Sequence, residues 1–165
     1  MRLLFLDIDG VLNSDLWYKS EQCKKQQEPL NHFDPKNVSI LNNLVKKIEA
    51  KVVITSTWRN NHSQEDLKQI LKAAGLKIEI VGFTPDLRRN QDFVIRGNEI
   101  LKWCMDNEVI LGCEWKSYHD FAILDDNSDF LLWQAHNFFR TDRFCGLTLT
   151  VKKEIERFFE RKNRQ

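Results

Sequence analysis

Four short apolar runs, at 3–6, 51–55, 78–81 and 121–124, recur along the chain with helical patterns between them. This alternation limits the possible folds more than any other feature. The runs are rich in Leu, Val and Ile and lack the in–out alternation of a half-exposed strand, so they read as strands buried on both faces. Strands separated by amphipathic helices predict an α/β fold with a parallel sheet covered by helices. A fifth, shorter strand is expected at 137–140. The first helix is expected at 35–49, with Val38, Leu41, Leu44, Val45 and Ile48 on one stripe, Asp34 as cap and Pro35 in the first turn. A second at 63–74 opens on a Ser63/Asp66 capping pattern and stops at Gly75. The third, 97–106, offers Ile100, Leu101 and Trp103 to the core; the last, 151–161, offers Val151, Ile155, Phe158 and Phe159.

Segment 13–33 fits neither period. It follows the first strand, where α/β folds bind ligands, and reads either as a flap over that edge or as a surface excursion. With 165 residues the chain is expected to form one domain. A net charge of +1 provides no global field for nucleic acid or membrane, so any basic surface must be local. No apolar run is long enough for a bilayer, and Asp7 and Asp9 interrupt the opening Met-Arg-Leu-Leu-Phe-Leu too early for a signal peptide. The four cysteines, Cys23, Cys104, Cys113 and Cys145, form no Cys-x-x-Cys pair and read as reduced thiols of a cytoplasmic protein.

The chemistry lies where the runs end. The first passes directly into Asp7-Ile8-Asp9-Gly10, the second ends at Thr55-Ser56, and the fourth passes into Asp125-Asp126, with Asp129 beyond. A carboxylate at the end of a buried strand is costly unless something compensates its charge. Either pair alone could be a polar turn. In a parallel sheet, however, all these ends share one edge, and two acid pairs with a hydroxyl between them suit Mg²⁺ and phosphate oxygens. The pattern points to metal-assisted phosphoryl transfer.

Asp7-Ile8-Asp9-Gly10-Val11-Leu12 resembles the first motif of the haloacid dehalogenase-like (HAD) superfamily of phosphohydrolases. Thr55 resembles its second motif and Asp125-Asp126 its acidic fourth. Thr55-Ser56-Thr57-Trp58-Arg59, Arg96-Gly97-Asn98-Glu99-Ile100 with Trp103, and Leu124-Asp125-Asp126-Asn127-Ser128-Asp129 are more narrowly similar to the HAD domain of Swiss Army Knife RNA-repair proteins. Phe139-Arg140-Thr141-Asp142 and Gly146-Leu147-Thr148 resemble that subgroup's closing segment. The resemblance runs from residue 3 to about 148.

It implies a three-layer, Rossmann-like HAD fold with a mainly parallel sheet and no large cap, residues 13–33 being at most a small insertion in a domain spanning 1–165. It also implies a Mg²⁺-dependent phosphomonoesterase that forms an aspartyl-phosphate on Asp7. Asp9 would serve as general acid and then base, its backbone carbonyl adding a metal ligand. Thr55, or its neighbour Ser56, would hold a phosphoryl oxygen, with Gly10 beside them. Asp125 and Asp126 would complete the metal site. The superfamily's third motif is most often a lysine; here Arg96 takes its place, with Lys102 as fallback, and an arginine can grip two phosphate oxygens. Arg59 is a candidate substrate contact, whereas Trp58 reads as core. The expected substrate is a phosphorylated RNA or DNA end, with a small phosphometabolite or phosphoprotein, or phosphate binding without turnover, as alternatives. His32, His62, His119 and His136 show no metal spacing, and Arg88-Arg89 and the tail residues Arg161, Lys162 and Arg164 read as solvated charge.

Overall fold

The computed structural model describes residues 1–88, 93–117 and 119–162. Five strands, β1 (Arg2–Leu6), β2 (Ala50–Ile54), β3 (Ile80–Phe83), β4 (Phe121–Asp125) and β5 (Phe138–Arg140), form one sheet in the order β3-β2-β1-β4-β5. Every pairing is parallel; Leu4 lies beside Val52 on one side and Ala122 on the other. The chain builds outward from β1 to β3 and then returns to the far side of β1. That reversal of direction makes the C-terminal edge of β1 the expected crevice.

The long helices are α1 (Pro35–Ile48), α2 (Gln64–Ala73), α3 (Arg96–Asp106) and α4 (Leu149–Lys162). Strand alternation sends Leu4, Leu6, Val52, Ile54, Ala122 and Leu124 to a core shared with α1, α2 and α4. Leu3, Phe5, Val53, Phe121 and Ile123 face the opposite way, against Ile100, Trp103 and Cys104 of α3. The result is a three-layer α/β fold. Leu3, Leu4, Phe5 and Leu6 are fully buried, and each contributes about 1.5–3 kcal/mol relative to exposure. All four cysteines are free thiols, and burial pushes that of Cys104 up to about 12. Among the described residues no helix is long and apolar enough to cross a membrane.

Two local features depart from the sequence pattern. β3 spans Ile80–Phe83, starting two residues later than the expected 78–81 and running on through Gly82. A Cβ at Gly82 would lie 2.6 Å from Trp103 Nε1, so the glycine lets α3 seat its indole on the strand. Segment 13–33 is ordered by two one-turn helices, Asp15–Tyr18 and Glu21–Lys24, capped by Ser14 and Ser20. Buried Trp17 fastens it, its Nε1 donating to Asn31 O at 2.7 Å.

Candidate active site

The sheet's hydrogen bonding carries past the strand ends and aligns the acids. Asp7 N donates to Leu124 O at 3.0 Å, Thr55 N to Leu6 O at 2.8 Å, and Thr141 N to Asp125 O at 2.9 Å. Asp7, Thr55 and Asp125 therefore lie side by side, all buried. Gly10 follows in a left-handed turn at φ +69, and a Cβ there would sit 2.5 Å from the Asp126 carboxyl. Glycine is what lets the second acid pair close on the first.

Carboxylate oxygens of Asp7, Asp125 and Asp126 lie within 4.8 Å of one another. Burial and the Asp7 charge raise the pKa of both Asp125 and Asp126. The Arg96 guanidinium offsets part of this repulsion, donating to Asp7 Oδ2 at 2.8 Å and to Asp125 Oδ2. Burial works against its own charge, but Asp7 and Asp125 outweigh burial and hold it protonated. One cation facing three acids leaves room for more positive charge, and an all-oxygen donor set of this kind fits Mg²⁺.

Arg96 opens α3, where a positive charge is unfavourable to the helix dipole. Asp129 compensates from another loop: its Oδ2 accepts from Arg96 N at 3.0 Å and its carbonyl from Gly97 N at 3.1 Å. A Cβ on Gly97 would fall 2.6 Å from Leu131 N and from Gln134 Oε1, so the approach of this helix end requires glycine. Asp129 thus caps the start of α3, the helix that precedes it in the chain.

Asp9 stands apart from the three clustered acids, with an exposed side chain. Its Oδ1 accepts from Asn13 Nδ2 at 2.8 Å and its Oδ2 from Trp58 Nε1 at 3.0 Å. Asn13 Oδ1 in turn accepts from Gly10 N at 2.8 Å, so the Gly10 amide is already engaged rather than free for phosphate. The Thr55 hydroxyl is buried with no hydrogen-bond partner, whereas Ser56 Oγ caps the turn Thr57–Asn60 by accepting from Trp58 N. Between the two hydroxyls, the unpartnered one is Thr55.

Several expectations are corrected. Arg59 does not face the crevice: it is buried against Glu99 and donates to the carbonyls of Thr55, Ser56 and Pro85, tying the second motif to α3. Lys102 points away and pairs with Asp106 on its own helix. Trp58, read as core, does pack half-buried against the core beside Phe33, and its Nε1 also reaches Asp9 between His32 and His62. Arg88, in an exposed pair with Asp86, and exposed Arg161 fit the solvated-charge reading, whereas Lys162 donates to His119 O; Arg89 and Arg164 lie outside the described residues. Sequence reasoning missed Asn13 and Arg143. Asn13 follows Asp9 by four residues, a spacing that could have been read as an Asp clamp; nothing in the sequence marked Arg143.

These groups bound a cavity of about 340 Å³ lined by Asp7, Asp9, Asn13, Tyr18, Arg96, Asp126 and Arg143 among others. A parallel sheet with acids at the ends of β1 and β4 and a hydroxyl at the end of β2 defines an HAD-like domain. The family described as the HAD domain in Swiss Army Knife RNA repair proteins matches residues 3–151, and the chain belongs to that family. Membership supports a hydrolase-type activity. No curated protein and no solved structure matches the chain.

Proposed function

We propose that the chain is a Mg²⁺-dependent phosphomonoesterase that acts through an aspartyl-phosphate on Asp7 and removes terminal phosphate from nucleic-acid ends. The observation that carries this reading is the convergence of Asp7, Asp125 and Asp126 around Arg96, next to an unpartnered Thr55 hydroxyl. A phosphoryl group placed there would give that hydroxyl an acceptor and Arg96 a further anion to grip. The nucleic-acid part is supported by the family's association with RNA repair and by the absence, among the described residues, of any second sheet over the crevice.

In the first half-reaction an Asp7 oxygen bonds to phosphorus as the ester P–O bond breaks, and Asp9 protonates the departing oxygen. In the second, water attacks phosphorus, its proton passes to Asp9, and the bond to Asp7 breaks to release phosphate. Asn13 and Trp58 hold the Asp9 carboxyl at the rim, outside the acidic cluster, in reach of the leaving group and water. Arg96 lowers the repulsion between Asp7 and the incoming phosphate. Mg²⁺, held by Asp7, Asp125 and Asp126, would supply the remaining positive charge that lets a carboxylate approach a phosphate dianion.

The test is phosphate release from an aryl phosphate and from 5′- and 3′-phosphorylated oligonucleotides, with Mg²⁺ and with chelator. Metal-dependent release that is lost in Asp7→Asn supports the reading. Release by Asp7→Asn above trace levels overturns it.

A further inference from the structure

The turn after β5 is pinned more firmly than an exposed turn needs. Thr141 Oγ1 donates to Gly10 O at 2.7 Å, and Asp142 and Gly146 close a bridge in which Gly146 N meets Asp142 O at 2.6 Å. Gly146 adopts φ +68, and a Cβ there would lie 2.2 Å from Asn37 Nδ2 and 2.8 Å from Asn13 O. At the tip, the carbonyls of Arg143 and Phe144 accept from Asp15 N and Leu16 N, each at 3.1 Å, which joins the turn to the first short helix of segment 13–33. The backbone of Arg143 is thus held from both sides while its side chain is exposed. Among the described residues that side chain has no ion pair and no hydrogen bond.

Arg143 lines the acidic cavity and also a neighbouring one of about 580 Å³, which shares Asp126 and Asn127 and adds Arg140 and Thr148. Its charge acts on Asp126 and on Tyr18, across the mouth. Arg140 uses Nε on Asp126 O at 2.9 Å, which fixes its guanidinium over the second cavity. Exposed Phe144, with Lys19 over its ring at 5.9 Å, extends the same rim. An exposed arginine on a pinned turn is not required to neutralise the acids, because buried Arg96 already lies between two of them. It is placed to meet a second anion lying just outside the crevice.

We infer that Arg143, with Arg140 behind it, forms a subsite for the phosphodiester adjoining the terminal phosphate, so that the site favours a phosphorylated strand over a mononucleotide. This rests on the phosphomonoesterase reading and adds a substrate-length preference to it. Electrostatic contacts with strand phosphates are salt-dependent, and removing one makes the salt slope shallower by about 0.7–1.

The experiment compares kcat/KM for a phosphorylated oligonucleotide and the matching mononucleotide, in wild type, Arg143→Gln and Arg143→Lys, over a salt series. The expected result is a wild-type preference for the oligonucleotide that falls about tenfold in Arg143→Gln, the size of one lost charge-assisted contact. The salt slope should become shallower in that variant and return in Arg143→Lys. Equal loss on both substrates, or no wild-type preference, overturns the subsite. Should wild type hydrolyse neither, the phosphatase reading fails separately. The subsite is then judged by whether Arg143→Gln weakens binding of a labelled phosphorylated oligonucleotide at low salt, unchanged affinity counting against it.

Discussion

Removing one member of the Arg59–Glu99 pair should destabilise the protein strongly, whereas removing both should not double the effect. Each side chain is only 6% exposed. Burial lowers the pKa of Arg59 and raises that of Glu99, with each partner offsetting the shift in the other. Both shifts run toward the neutral form, so the pair contributes little net stability, and either charge left alone is costly. Breaking such a pair from one side costs about 3–5 kcal/mol. At roughly 2–4 °C per kcal/mol for a chain of this size, Arg59→Met or Glu99→Leu should lower Tm by about 6–20 °C. In the double variant no charge is stranded; Ser56 O keeps the bond from the residue-59 amide, and the remaining loss comes mainly from Thr55 O and Leu87 N, about 1–3 kcal/mol for each one left unpaired.

The pH dependence gives a second check. In Arg59→Met, Glu99 loses its cation, and its folded pKa rises further above the ordinary 4.5. The native state then binds more protons than the unfolded state as pH rises from that value, so stability falls with pH. The deficit relative to wild type should be small in acid and grow toward neutrality, whereas Glu99→Leu has no such carboxyl. Urea unfolding of wild type, both singles and the double at two pH values completes the cycle. If the double loses the sum of the singles, or each single loses under about 1 kcal/mol, the buried pair does not behave as described.

Gly97→Ala should cost about 1–3 kcal/mol in urea melts, because the new methyl meets Leu131 and Gln134, and it should lower kcat by moving Arg96. Arg96→Met leaves three acids without their shared cation, so its Tm in chelator should fall well below wild type. Added Mg²⁺ at about 100 times its Kd should restore around 2.7 kcal/mol, as calorimetry would show. Glu49→Gly should raise stability by about 1 kcal/mol in urea melts, since Glu49 is exposed and sits at φ 52, where a side chain is strained.

The features legible in sequence were those with a local period or a strand-end position. β1 and β4 are continuous apolar runs, and α1 is announced by Asp34 and Pro35, so each falls close to the expected residues. The acids follow from them, because a parallel sheet brings its strand ends to one edge. What could not be read depends on partners far apart in the chain. Arg59 and Glu99 are forty residues apart, and no local pattern tells a buried clamp from a substrate contact. Gly97 reads as a poor helix residue until Leu131 is seen against it. Segment 13–33 is built from single helical turns, too short for periodicity, and its serine caps went unread because no apolar stripe followed them.

The central claim is covalent catalysis by Asp7. Its most direct test is a rapid-mixing measurement of aryl alcohol release by Asp9→Asn with Mg²⁺, using a substrate whose leaving group needs no proton. Loss of the base should slow attack by water while leaving transfer to Asp7 fast. The account predicts a burst of one equivalent of alcohol per enzyme, followed by slow turnover and abolished by Asp7→Asn. A burst that survives Asp7→Asn would contradict it, as would linear release with no burst from an Asp9→Asn enzyme that still turns over.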